Sequence, residues 1–230
     1  MLVTKAHLCV RHAASKDETR PNLNGVRFRS VENPDAKPGD AVYATTEATD
    51  GHMLIRVTAA SSPDSEYPAL PGYESSDAAP EPFTLPLGAA DELKDVLQWA
   101  GKRRGSMPIL TNVLLDVPHA NANGSVRFVA TDLETQRKVE AKKIEGEYPN
   151  TDRVIPEKPT LPDGEAAPAS FTVDLNLLER VLKAAREGGF AGRTSVAARF
   201  YVTDPLSALR IEISHPNVGE LLAVIMPLKP

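Results

Sequence analysis

Three short stretches of this chain recur, and the recurrence narrows the possible folds more than any other feature. Pro21-Asn22-Leu23-Asn24-Gly25-Val26 returns as Pro108-Ile109-Leu110-Thr111-Asn112-Val113. Ala48-Thr49-Asp50 returns as Ala130-Thr131-Asp132, and more faintly as Val202-Thr203-Asp204. Phe83-Thr84-Leu85 returns as Phe171-Thr172-Val173. Spaced repeats of this kind mean one supersecondary unit used several times, each copy burying its apolar face against a neighbour. The unit reads as a strand, a helix and three further strands, over residues 1–60, 83–156 and 170–228.

Hydrophobic spacing supplies the elements. Met1–Lys5 reads as a strand, Ala6–Ser15 as a helix ended by Pro21, and Gly25–Val31, Ala41–Thr46 and Met53–Thr58 as strands. In the second unit Phe83–Leu87 is a strand. Ala89–Ala100 is a helix whose Leu93, Val96, Leu97 and Ala100 share one face. Pro108–Val117, Ser125–Ala130 and Gln136–Ile144 follow as a meander. In the third, Phe171–Leu175 is a strand, and Asn176 is the expected cap of a helix over Leu177–Glu187 stopped by Gly188-Gly189. Val196–Val202, Ala208–Ile213 and Leu221–Met226 finish the chain as strands. Ala60–Pro82, rich in Ser, Pro, Asp and Ala, is expected to be an exposed excursion holding little of the core. The proline-rich residues 157–169 are expected to link a domain of residues 1–156, made of two units, to a partial second domain of residues 170–230.

Composition excludes several classes. With 41% hydrophobic and 25% charged residues, the 230-residue chain can bury an ordinary core. A formal net charge of −5 argues against a protein that coats nucleic acid electrostatically, but not against a ring with a few basic residues inside and an acidic exterior. A single cysteine, Cys9, excludes an internal disulfide and a Cys-rich zinc site, and fits a reducing cytoplasm. No apolar run approaches the roughly 20 residues of a membrane helix, and Met1–Lys5 does not begin a signal peptide. His7, His12, His52, His119 and His215 lack zinc-ligand spacing, no phosphate-cradling glycine loop is present, and no acidic pair has acid–base spacing. No metal, no cofactor and no catalysis are expected.

Asp50-Gly51 is a tight-turn signal between two strand-like runs. Around it stand Ala48-Thr49-Asp50-Gly51-His52-Met53-Leu54, the earlier Arg20–Val26 stretch, Gly146-Glu147-Tyr148-Pro149 with Arg153-Val154-Ile155-Pro156, and the closing Val224-Ile225-Met226-Pro227-Leu228-Lys229. In this order the pieces resemble the bacterial DNA polymerase III β subunit family, the sliding clamps. The resemblance implies an α+β sliding-clamp fold of repeated βαβββ units, helices on the inner face and antiparallel sheets outside. Clamp domains contain two such units, so three units make one and a half domains, a shortened member. Met53 stands where the family usually has Arg, and Lys229-Pro230 ends the chain differently.

Two sets of residues carry the implied function. Arg11, Lys16 and Arg20 lie on or after the first helix, Lys94, Lys102, Arg103 and Arg104 on or after the second, and Arg180, Lys183 and Arg186 on the third. Singly these read as solvated helix charges; together with the resemblance they imply a surface facing DNA phosphates. The second set matches the family's partner-peptide pocket: Leu23, Thr49, Gly51, His52, Leu54, Pro149, Val154, Val224, Met226, Pro227 and Leu228. A concave apolar site with an adaptable Met suits short degenerate hydrophobic peptides. The expected partners are therefore double-stranded DNA, read without sequence preference, and peptides of a DNA polymerase and clamp loader, with the chain assembling as a homo-oligomer. Two functions stay open: a sliding clamp-like processivity factor encircling DNA, and a non-ring clamp-derived adaptor that keeps only the peptide pocket.

Overall fold

Alternating apolar and polar residues build two antiparallel sheets, whose helices fill one face. A computed structural model describes residues 1–30, 42–61, 67–73, 80–101, 108–122, 124–157, 172–192, 196–202 and 207–228. The first unit is β1 (Leu2–Val3), α1 (Lys5–Leu8) continued by a 3-10 turn (Cys9–Ala13), then β2 (Gly25–Ser30), β3 (Val42–Thr49) and β4 (Met53–Ser61). The second is β5 (Phe83–Pro86), α2 (Leu87–Gly101), β6 (Val113–Leu115), a short helix α3 (Val117–Ala122), β7 (Ser125–Thr131) and β8 (Gln136–Lys142). The third is α4 (Leu175–Gly188), β9 (Ala198–Tyr201), β10 (Leu209–His215) and β11 (Gly219–Ile225).

The first two units exchange strands. β1 pairs with β6 of the second unit, and β5 pairs with β2 of the first. Among the described residues this gives a four-stranded sheet, β1-β6-β7-β8, and a seven-stranded sheet, β5-β2-β3-β4-β11-β10-β9. The third unit joins through β11, which runs antiparallel to β4 from Glu220 opposite Thr58 to Ile225 opposite Met53. Phe28 of β2 stacks on Phe83 of β5 at 4.9 Å between ring centroids and tilts onto Phe128 of β7 at 6.3 Å, so one aromatic cluster ties the two sheets together. Helix residues Leu8, Leu93, Leu97, Val181 and Ala185 complete the same core.

Several expectations need correction. The expected strand over Phe171–Leu175 is absent in its described part: residues 172–174 belong to no strand, and α4 begins at Leu175. In the first two units such a strand is held by the neighbouring unit's sheet, and the third unit has no neighbour of that kind among the described residues. The cap of α4 is Asp174 rather than Asn176; its side chain accepts the Asn176 N–H at 2.7 Å. The helix ends at Gly189, whose φ of 84° places it in the left-handed region that a Cβ disfavours. Pro108–Val117 is a 3-10 turn (Pro108–Thr111) before a shorter strand, as Pro21–Leu23 is before β2, so the repeated Pro-x-Leu marks a turn. The sequence reading missed α3, where the Asp116 carboxylate accepts the His119 N–H at 3.1 Å.

The largest correction concerns the excursion. Tyr67 and Leu70 are buried and pack on Leu2, Leu114 and Val129, forming a second small core on the outer side of the four-stranded sheet. The Tyr67 hydroxyl donates to the Asn112 carbonyl and accepts the Thr131 N–H, both at 3.2 Å. The described part of the segment is therefore fastened to the sheet. The expected linker falls almost wholly outside the described residues, which stop at 157 and resume at 172.

Candidate peptide cleft and basic groove

The β3–β4 turn is set by its own side chains. Thr49 Oγ1 donates to the Met53 carbonyl at 2.6 Å and accepts the Gly51 N–H at 3.1 Å. Asp50 Oδ1 accepts the N–H groups of His52 and Met53 at 2.9 and 3.0 Å. Gly51 has φ 91°, a conformation glycine adopts at no steric cost. The second unit builds the same turn: Thr131 Oγ1 donates to the Thr135 carbonyl and accepts the Leu133 N–H, while Asp132 Oδ1 accepts from Glu134 and Thr135. There Leu133 takes the left-handed position at φ 74°. The repeated Ala-Thr-Asp is thus a repeated set of hydrogen bonds.

Only the first of these turns is met by the end of the chain. β11 places Val224 opposite Leu54 and Ile225 opposite Met53, and the Met226 N–H donates to the His52 carbonyl at 3.0 Å. The result is an apolar cleft of about 200 Å3 lined by Leu23, Thr49, Gly51, His52, Met53, Leu54, Pro149, Asn150, Thr151, Val154, Val224 and Met226. Met226 and Val154 are about half exposed at its mouth, 48% and 55%, while Leu54 and Val224 are buried in its floor. Of the expected pocket residues, Pro227 and Leu228 alone do not line it. Leu228 runs on past the strand, where its N–H donates to the Thr172 carbonyl at 3.2 Å.

Sequence reasoning missed Met53, Asn150 and Thr151 at this cleft, and with them the charged network that seats one wall. Glu47 is buried directly opposite Arg56 across β3 and β4. Arg56 Nε donates to Glu47 Oε2 at 2.9 Å, and the Thr151 hydroxyl donates to the same oxygen at 2.7 Å. Arg56 Nη1 also reaches Asp152 Oδ1 at 2.7 Å, and Arg29 Nη1 reaches Asp152 Oδ2 at 3.2 Å. The hydrogen bond from Arg29, followed by that from Arg56, holds the Asp152 carboxyl below its usual range. These contacts fix the 3-10 turn Thr151–Val154 against the sheet. The only sequence signal was the matched polarity of Glu47 and Arg56, which register alone turns into a pair.

The basic residues divide in a way their sequence positions do not show. Arg11, Lys16, Arg20, Arg180 and Lys183 surround one groove of about 720 Å3, together with His12, Asp17, Asp50 and Asp91, and His52 is shared with the cleft. Arg11, however, is only 7% exposed. Its guanidinium grips both carboxylate oxygens of Glu187 and also donates to Asp91 at 2.9 Å, so it ties α2 and α4 to the first helix. It is spent on the fold rather than presented on the surface. Burial would raise the Glu187 carboxyl, but hydrogen bonds from His12 and Arg11 together with their charge hold it down at about 2. Arg180 reaches Asp50 Oδ2 at 2.6 Å and the His12 carbonyl at 2.7 Å. Lys183 pairs with Glu179 at 3.0 Å and Arg20 with Asp17 at 3.5 Å, both in the open. Lys16 and Arg186 are exposed, Lys94 is half-buried, and neither Lys94 nor Arg186 lines the groove. Lys102, Arg103 and Arg104 lie outside the described residues. No group of three or more His, Cys, Asp or Glu among the described residues is placed to hold a metal ion, and no helix there is long and apolar enough to cross a membrane.

Exchanged strand–helix–strand units with helices on one face define a clamp-type architecture, and solved structures carry the comparison further. The β sliding clamp of Caulobacter crescentus, solved with polyethylene glycol bound at a putative β-motif tethering region, matches all of this chain at a TM-score of 0.63 and 20% identity. The Bartonella birtlesii sliding clamp bound to griselimycin matches at 0.61 and 17%, and the Thermotoga maritima DNA polymerase III β subunit at 0.61 and 16%. This chain spans 65–66% of each of these three chains. No family model and no curated protein matches the sequence. The chain therefore has the α+β sliding-clamp fold of the bacterial DNA polymerase III β subunits.

Proposed function

We propose that this chain is a clamp-like processivity factor that surrounds duplex DNA without reading its sequence and tethers a polymerase through the apolar cleft. The observation that carries the reading is the cleft itself. Leu23, Thr49, His52, Pro149, Val154, Val224 and Met226, scattered over nearly the whole sequence, meet at one concave apolar site on a sliding-clamp fold. A cleft with a polar turn at one side and a half-exposed Met at its mouth accepts extended peptides bearing a few apolar anchors. Lys16, Arg20, Lys183 and Arg186 supply exposed positive charge on or near the helices, the chemistry that sequence-independent phosphate binding uses.

A second reading has its own support. Arg11 is buried and Arg180 is paired with Asp50, which reduces the positive charge free for phosphate. In that reading the chain is a clamp-derived adaptor that binds clamp-interacting peptides without encircling DNA. Both readings are non-catalytic.

One experiment tests the shared element. Fluorescence anisotropy with a labelled clamp-binding peptide is expected to show binding to the parent and at least a tenfold loss in His52→Ala combined with Met226→Ala, since losing a pocket wall typically costs about 1–3 kcal/mol. A folded double variant binding as tightly as the parent would overturn it. Retention of the parent on nicked circular DNA, and its release on linearisation, separates the encircling clamp from the adaptor.

A further inference from the structure

The floor of the apolar cleft continues into a second hollow on the same face of the seven-stranded sheet. Directly opposite residues of paired strands share a face, and so do alternate residues along one strand. Ile55, Ile211 and Ala223 are core residues on the helix side. Their neighbours Leu54, Arg56, Arg210, Glu212, Leu222 and Val224 therefore lie on the side away from the helices. The strand register sets these in two adjoining rows. The first is Leu54, Val224, Arg210 and Tyr201, and it begins with the floor of the cleft. The second is Arg56, Leu222, Glu212 and Arg199. Over these rows opens a hollow of about 470 Å3, lined by Arg56, Arg199 and Arg210 from three strands. Glu220, also in its lining, stands one row farther from the cleft, opposite Thr58 and Ser214.

The three guanidinium groups are not equally engaged. Arg56 is held by Glu47 and Asp152. Arg210 donates to Glu212 through Nε at 3.0 Å and through Nη2 at 2.6 Å. Its Nη1 donates to the Pro156 carbonyl at 2.6 Å, just past the Val154 wall of the cleft. Arg199 lies directly opposite Glu212, is exposed, and forms no ion pair among the described residues. Glu47, Asp152 and Glu212 are thus committed to other arginines, and Arg199 carries the surplus positive charge of these two rows.

We propose that this hollow is a carboxylate subsite, which receives acidic side chains flanking the apolar anchors of a peptide held in the cleft; it rests on the reading of the cleft as a peptide site. Arg199 stands two strands and one row from Val224. By ordinary sheet spacings that is roughly 12 Å, a span of about four extended residues. A glutamate or aspartate at that remove from the last anchor meets the Arg199 guanidinium, which takes a carboxylate through two parallel N–H groups. Arg210, with three of its five N–H groups occupied, keeps others for the same carboxylate. Charge selects the occupant: the surplus cation lies within one row of the cleft floor, and the unengaged carboxylate, Glu220, lies beyond it.

Fluorescence anisotropy on the full chain compares the labelled clamp-binding peptide carrying a tetraglutamate or a tetraserine tail, at either end. At one end the glutamate tail is expected to bind about two- to fivefold more tightly, the size of an exposed charge pair, and the advantage is expected to shrink as salt is raised. Arg199→Gln is expected to remove the advantage and leave the affinity for the serine-tailed peptide unchanged. Independently of the cleft, NMR of the arginine Nε–H groups with capped tetraglutamate alone is expected to show saturable shifts at Arg199 and Arg210. A glutamate tail with no advantage at either end overturns the proposal, and so does an advantage that survives Arg199→Gln. A larger response of the same groups to inorganic phosphate at equal concentration overturns the assignment to carboxylate. If neither tailed peptide binds the parent, the cleft reading fails, and the subsite then stands or falls on the tetraglutamate shifts.

Discussion

Asp50 in the β3–β4 turn and Arg180 in the middle of α4 meet at 2.6 Å, joining the apolar cleft to the groove between the helices. One carboxylate oxygen holds the turn amides of His52 and Met53, and the other holds the guanidinium. Asp50→Asn keeps an acceptor for the turn and removes the charge for Arg180, whereas Asp50→Ala removes both. Thermal unfolding is expected to show a small loss for Asn, and for Ala a further loss of about 1 kcal/mol, the typical worth of such side-chain-to-backbone bonds. Peptide affinity is expected to fall more for Ala than for Asn. Equal affinities would show that the turn is held by Thr49 and the strand pairing alone.

The basic residues are expected to separate into structural and surface groups. Arg11→Ala removes a buried side chain, leaves Asp91 without this cation and leaves Glu187 with His12 alone, a loss expected to exceed about 1 kcal/mol. It is expected to lower the melting temperature sharply. The combined Lys16→Ala, Arg20→Ala and Lys183→Ala is expected to leave melting nearly unchanged. Duplex DNA binding should weaken in that variant and its salt dependence flatten, because fewer counterions are released. Unchanged salt dependence would remove these residues from the DNA surface.

Tyr67 gives the excursion a measurable role in stability. Truncating a buried aromatic costs about 3–5 kcal/mol, and Tyr67→Ala also leaves the Thr131 N–H without its hydroxyl acceptor. Urea denaturation should show a loss of that size, with replacement of the 60–82 segment by a Gly/Ser linker at least as damaging. A loss under about 1 kcal/mol would return the segment to the surface.

His7 makes stability depend on mild acid. It is buried at 0% exposure, and burial lowers its pKa from 6.5 to about 4. The unfolded chain therefore binds a proton that the folded chain refuses, so stability is full above about pH 6.5 and falls as the pH drops from there towards 4. Glu187 adds a second loss lower down, as the pH falls from the ordinary 4.5 towards about 2. Denaturant melts at pH 7, 5.5 and 4.5 are expected to show a progressive decline, and an NMR titration should place His7 well below 6.5. A His7 resonance titrating at an ordinary value would contradict its burial.

The sequence by itself determined the local pieces. Periodicity located α2 and α4, β-rich runs located most strands, and the repeated Ala-Thr-Asp marked two turns that share one hydrogen-bond pattern, because each of these rests on residues close together in the chain. The resemblance also named nine residues that do line the cleft. What only tertiary structure decided was which of these pieces share partners. Arg11 looked like any surface cation until α2 and α4 brought Asp91 and Glu187 to it, and Tyr67 looked solvated until β6 and β7 gave it a surface to cover. Phe171–Val173 carried the same strand signal as Phe83–Leu85, but its described residues 172 and 173 lie in no strand whereas Phe83–Leu85 does, since a strand requires a partner's backbone and β2 supplies one to β5.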